Sequence, residues 1–193
     1  MFKIDSGFSP VWSVMIALAI TLVALGGGYM LWQSVHAPSE VVEQAGISAA
    51  IPSGWLVQKG IAGEERIMTA ANPLQPHLAY QILRYPIGEG MAVADVVANR
   101  NLERALKLSS YRVLDQIDVV IGGRNASKVH FAYVDASAIA SVPVVLEGVD
   151  YYFYQPGEVI VVSMEDASEK YTESLPRFQD FVSTVSFSAG GAK

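Results

Sequence analysis

Hydrophobic and polar positions divide the chain into stretches of different character. Val11 to Trp32 runs for 22 residues without a charge. As a helix it would be about 33 Å long, matching a hydrocarbon core of ~30 Å. It therefore reads as a transmembrane helix, residues 11–32, with residues 1–10 as a cytoplasmic N-terminus. From Gln33 to Ala45 the apolar period is lost and Pro38 intervenes, so residues 33–45 read as a linker. Residues 46–187 carry short apolar runs bounded by turn signals, and residues 188–193 (SAGGAK) read as a flexible tail.

The pattern within 46–187 predicts strands first. Ile47–Ile51 ends at Pro52-Ser53-Gly54, Trp55–Gln58 resumes an extended run, and Asn72-Pro73 separates Arg66–Ala70 from Leu78–Tyr85. A helix follows over Ala92–Leu108, with Val93, Val97, Leu102, Ala105 and Leu106 as its core face. Arg100, Arg104 and Lys107 sit in its C-terminal half, where cations suit the helix dipole. Gly122-Gly123 turns a hairpin between Tyr111–Val120 and Ala126–Val134, and Gln155–Glu158 turns a second between Val142–Tyr154 and Val159–Met164. In Asp150–Tyr154 aromatics occupy both faces, which predicts a strand covered on both sides. A last helix ends near Val185. Asp166 or Ser168 caps its start with Glu169 completing a capping box, Pro176 breaks or restarts it, and Leu175, Phe178, Phe181, Val182 and Val185 form its buried stripe. Hairpins with two helices imply an α+β domain, an antiparallel sheet flanked by helices.

Several of these residues resemble a known family. Ala49-Ala50-Ile51-Pro52-Ser53-Gly54-Trp55 is similar to the strand, Pro-x-Gly-Trp opening of PsbP-like domains. Pro176-Arg177-Phe178 through Phe181-Val182-Ser183-Thr184-Val185-Ser186-Phe187 resembles their terminal helix and finish. Asp150–Phe153 and Val159–Val162 look like the paired long strands of that fold. The resemblance covers about residues 46–187 and implies a mainly non-enzymatic role. Such domains serve as extrinsic subunits or assembly factors of photosynthetic complexes, and bacterial relatives include exported proteins and lipoproteins. It transfers no metal-binding residue to this sequence, which departs from the family in its long N-terminal apolar segment.

The apolar segment carries its own pattern. Trp12, Tyr29 and Trp32 suit the two membrane interfaces. Ser13, Ala17, Thr21, Ala24 and Gly28 recur at steps of 4, 4, 3 and 4, within an arc of about 80°. Small residues on one stripe let a partner helix approach closely. Lys3 precedes the segment and no Lys or Arg follows until Lys59, which puts the N-terminus in the cytoplasm and the main domain outside, in periplasm or lumen.

Composition narrows the chemistry. A net charge of −6 argues against a nucleic-acid partner, and zero cysteines remove disulfides, thiolate metal sites and cysteine nucleophiles. His36, His77 and His130 lack a second histidine at ligand spacing, no G-x-S-x-G elbow exists, and Gly88-Glu89-Gly90 lacks the third glycine of a nucleotide fingerprint. The acid pairs Glu64-Glu65 and Glu165-Asp166 fall at expected element ends, and Asn125-Ala126-Ser127 fits a glycosylation sequon. Arg84 to Arg112 holds five bases and three acids while Asp135 to Asp180 holds nine acids and two bases, a polarity that could orient docking.

These readings lead to a non-catalytic, membrane-anchored accessory subunit of a larger membrane complex, photosynthetic or respiratory, with no cofactor. Its expected partners are other membrane protein subunits and the lipid bilayer. The alternative is a membrane-tethered module for a small ligand or lipid, held in an apolar cavity beneath the aromatic strand.

Overall fold

The computed structural model describes residues 10–35, 39–61, 63–136 and 142–187. The chain divides into two compact units, Met1–Pro38 and Ser39–Lys193.

The first unit is helix α1, Pro10–Val35. Its side chains are described at positions 14–16 and 18–27, where they are exposed. Among the described residues no helix is long and apolar enough to cross a membrane. The expected transmembrane helix, and the single-pass cell-membrane location built on it, are thereby overturned.

The second unit is an α+β domain. Its elements are β1 (Glu40–Gln44), β2 (Ile47–Ile51), β3 (Leu56–Lys59), β4 (Arg66–Ala71), β5 (Ala79–Pro86), α2 (Val93–Lys107), β6 (Ser109–Ile121), β7 (Arg124–Asp135), β8 (Val144–Gln155), β9 (Glu158–Ala167), α3 (Ser168–Thr184) and β10 (Ser186–Phe187). Seven strands form one antiparallel sheet in the order β3-β4-β5-β9-β8-β7-β6, and β1-β2-β10 form a small second sheet. β1 lies within the stretch that reads as a linker, because Val42 finds a buried place opposite Ala49.

Both hairpin turns fall where the glycines put them. Gly122 and Gly123 have φ of +56° and +74°, the paired positive values that a two-residue turn of matching twist requires.

The centre of the sheet is buried on both faces, and alternation along β8 and β9 assigns each side chain to one of them. Tyr151 and Phe153 of β8 with Ile160, Val162 and Met164 of β9 join the core that takes in Phe178, Phe181 and Val182 of α3. Tyr152 of β8 with Val159 and Val161 of β9 join the core that takes in Val96 and Val97 of α2. The aromatic strand is thus covered on both sides, as its sequence implies.

α3 runs unbroken through Pro176, whose missing N–H is outweighed by the burial of Phe178, Phe181 and Val182 on the sheet. No side chain caps its N-terminus. Asp166 lies buried on the sheet instead, accepting from the Ala167 N–H at 2.8 Å and from Ser174 Oγ at 2.6 Å.

Candidate functional site

Helix α2 buries the N-terminal part of its expected core face, Val97 with Val93 packed beside it, but not the C-terminal part. The side chains it buries are Val96, Val97 and Arg104, and Arg100 is nearly buried beside them. Leu102 and Leu106, expected on the core face, point outward at 59% and 78% exposure. The cause is a charge cluster beneath the helix. Arg100 and Arg104, one turn apart, converge on Asp150 in the middle of β8, which is fully buried.

The Asp150 carboxylate is saturated. Oδ2 accepts from Arg100 Nε at 2.9 Å, Arg104 Nη1 at 2.5 Å and Tyr152 Oη at 2.9 Å. Oδ1 accepts from Ser163 Oγ at 2.6 Å and Arg104 Nη2 at 3.2 Å. Arg104 also lies 3.5 Å from Glu165 and stacks over the Phe131 ring at 3.8 Å, and Glu165 accepts from Tyr133 Oη at 2.9 Å. Arg100 Nη1 donates to Tyr85 Oη at 2.8 Å. Gly148 makes room for this arrangement, since a Cβ there would stand 2.3 Å from Phe131 Cζ.

Two arginines and two carboxylates balance, and their mutual field sets the protonation states. Burial alone would raise the Asp150 pKa, but the Arg104 and Arg100 charges, with hydrogen bonds from Arg104 and Ser163, hold it well below the usual carboxylate range. Burial works to lower both arginines, and Asp150 reverses this and raises them. Burial pushes the Tyr152 and Tyr133 phenols up, and the nearby Asp150 and Glu165 charges push them further. Asp150 is held as the anion and Arg100 and Arg104 as cations, so the ion pairs at Asp150 clamp α2 to the sheet rather than pass protons near neutrality.

Beside the clamp, on the same face, lies an open groove of about 480 Å³. Val93 of α2, Asp118 and Val120 of β6, Asn125 and Ser127 of β7, and Tyr154 of β8 line it. A second groove of about 360 Å³ lies on the α3 face of the same hairpin, between Ile121, Lys128, Tyr151 and Gln179. The space beneath the aromatic strand is filled: the Tyr80 ring meets those of Trp55, Phe181 and Phe178 at 4.5, 4.8 and 5.0 Å.

A third cluster gathers around Glu147. His130 Nε2 lies 3.1 Å from its Oε2, Ser168 Oγ donates to its Oε1, and the His130 ring stacks on Tyr171 at 4.8 Å. Serine and histidine meet the same carboxylate and not each other, so the imidazole is not placed to take the serine proton. Among the described residues no three His, Asp or Glu side chains stand close enough to hold a metal ion.

No protein-family model matches the sequence, and no curated protein matches it either. Among solved structures the chain is similar to cyanobacterial PsbP (CyanoP) from Synechocystis sp. PCC 6803, with a TM-score of 0.60 at 9% identity over 78% of this chain and 93% of that one. The fold is PsbP-like. It is also similar to LpqN of Mycobacterium tuberculosis, described as involved in cell envelope biogenesis (TM-score 0.51, 12% identity, 78% of this chain and 86% of that one). Protein Mog1, in a point-mutant form, gives a TM-score of 0.52 at 8% identity over 79% of this chain and 97% of that one. At these identities the likeness is one of fold.

Within this PsbP-like frame the residues singled out from the sequence separate. Of the small-residue stripe, Thr21 and Ala24 are exposed on α1, whereas the side chains of Ser13, Ala17 and Gly28, like those of Trp12, Tyr29 and Trp32, lie outside the described residues. His36 lies outside them too, and His77 stands in the loop before β5. Glu165 and Asp166 point to opposite faces of β9, one to the clamp and one to α3. The proposed charge polarity weakens, because Arg100, Arg104, Asp150 and Asp166 are withdrawn from the surface. The clamp itself is absent from the sequence reading. Its signal was there: Asp150 is a charge within Val149–Tyr154, a strand whose aromatics already imply cover on both faces, and such an acid needs buried cations.

Proposed function

We propose that the Ser39–Phe187 domain is a non-catalytic accessory module that binds another protein. The observation that supports this most directly is the fate of the buried ionisable groups. Asp150, Arg100, Arg104 and Glu165 satisfy one another, so none is directed into either groove where it could act on a substrate. Tyr152 lines the larger groove with its ring, but its hydroxyl is turned inward to Asp150. The PsbP-like fold is consistent with the reading, since the family resemblance implies extrinsic subunits and assembly factors.

The experiment is recovery of the tagged full chain from its source under native conditions, with mass spectrometry of what accompanies it. One protein in stoichiometric amount is the expected result. Recovery of the chain alone, at its own mass, overturns the reading.

A further inference from the structure

The outer edge of the seven-stranded sheet is β6, and it changes character along its length. Register shifts at Ser109/Arg112 and Val113/Asp115 bulge its first half, and Ser110 has a φ of +55°. Bulges of this kind twist an edge away from further pairing. From Asp115 to Ile121 the pairing with β7 is regular, residue against residue, and among the described residues no strand lies on the other side of this segment. In an antiparallel edge, every second residue there turns its N–H and C=O outward. The segment contains no Pro, Gly or Lys, and it exposes Ile117 and Val120, the latter at 71%.

Charge and shape select what such an edge accepts. Asp115 and Asp118 are the charged side chains of the segment, and neither takes part in an ion pair among the described residues. The two grooves flank the same stretch, one on each face, and both take in Val119 and Val120. An added strand sends alternate side chains to the two faces. On the α2 face they meet Asp118, Asn125 and the Tyr154 ring, with no basic residue lining the groove. On the α3 face they meet Ile121, Tyr151, Gln179 and the cation Lys128, so a basic side chain of the added strand is favoured on the α2 face and not on this one.

We propose that β6, through Asp115–Ile121, takes an extended segment of a partner protein as an eighth strand, with a Lys or Arg of that segment entering the α2-face groove against Asp118. Backbone hydrogen bonds to the open edge hold the segment, and the cation fixes its register. This rests on the protein-binding reading above and names the chemistry of the partner.

The test uses the full chain and two synthetic nine-residue peptides, alternating Thr and Val, capped at both ends, with Arg or Glu at the centre. The Arg peptide is expected to bind about tenfold more tightly than the Glu peptide and to slow amide hydrogen exchange within residues 116–121. Asp118→Lys, a change at an exposed side chain, is expected to reverse the preference. Absence of slowed exchange with either peptide, equal binding of the two, or an unchanged preference in Asp118→Lys overturns the proposal. So does equally tight binding of capped arginine alone, which would make the groove a site for small cations. A stoichiometric natural partner that stays bound to Asp118→Lys and leaves the edge amides exchanging freely would refute the edge while sustaining the binding-module reading.

Discussion

Replacing Asp150 by Asn removes one charge and changes almost no volume, yet it strikes the one group on which α2 is anchored. Asp150 accepts five hydrogen bonds from four side chains in a fully buried position. In the variant Arg104 keeps Glu165 at 3.5 Å as its remaining charge partner, and Arg100 keeps the Tyr85 phenol at 2.8 Å. Leaving such cations without their anion costs about 3–5 kcal/mol, a large share of the ~5–15 kcal/mol that holds an ordinary domain together. At a urea m-value of about 2 kcal/mol/M, the unfolding midpoint falls by about 2 M. Equilibrium urea unfolding followed by tryptophan fluorescence measures this, because Trp55 packs on Tyr80 within the core. A companion variant, Arg100→Met with Arg104→Met and Asp150→Leu, removes the charges that meet at Asp150 and leaves Glu165, 23% exposed and bonded to Tyr133; it is expected within about 2 kcal/mol of the parent, since apolar replacement of a buried ionic set is often neutral or better. A midpoint change below about 0.3 M in Asp150→Asn, or a triple variant as unstable as the single one, would refute the clamp.

Other outcomes follow from the same geometry. Asp150 has a folded pKa below its unfolded one, so the stability it contributes is complete above the ordinary carboxylate range near ~4 and is lost as pH falls below it. Asp150→Asn should therefore show a shallower acid limb in thermal unfolding between about pH 4 and 2 than the parent. Burial raises the Tyr80, Tyr133, Tyr152 and Tyr171 phenols, so stability is present below about pH 10 and lost above it, and phenolate absorbance from these rings should appear with unfolding rather than before it. Gly148→Ala places a Cβ 2.3 Å from Phe131 Cζ and 2.8 Å from the Met164 carbonyl, and overpacking should cost about 1–3 kcal/mol in calorimetry, relieved in part by Phe131→Leu. Leu102→Glu with Leu106→Glu should change stability by no more than about 1 kcal/mol, whereas Val97→Asp should unfold the domain, because the helix faces the sheet through Val97.

The fold was legible wherever a local rule agreed with the packing. Gly122-Gly123 and Gln155–Glu158 mark their hairpins, the aromatics of Asp150–Tyr154 announce cover on both faces, and Phe178, Phe181 and Val182 lie on the buried side of α3. Legibility failed where a nonlocal pairing overrode a local one. The period of α2 points Val93, Val97, Leu102 and Leu106 inward, but Asp150, some fifty residues away, draws Arg100 and Arg104 in, so the face holds at Val93 and Val97 and fails at Leu102 and Leu106. Asp166 reads as a cap because of Glu169, yet Ser174 holds it in the interior. Pro176 reads as a break, yet the sheet beneath α3 holds the helix together. β1 carries too short an apolar pattern to be seen without its partner β2. The apolar N-terminal segment was read by length and charge alone as a membrane span, which the helix described there does not provide.

The central claim, a binding module that works through the β6 edge, is tested most directly by site-specific photocrosslinking in the source cells. A photoreactive side chain is placed at Val120 on the edge and, for comparison, at Leu74, a still more exposed position in the loop between β4 and β5. The account predicts one discrete adduct of larger mass from Val120 and none from Leu74. No adduct from Val120, or the same products from both positions, would contradict it.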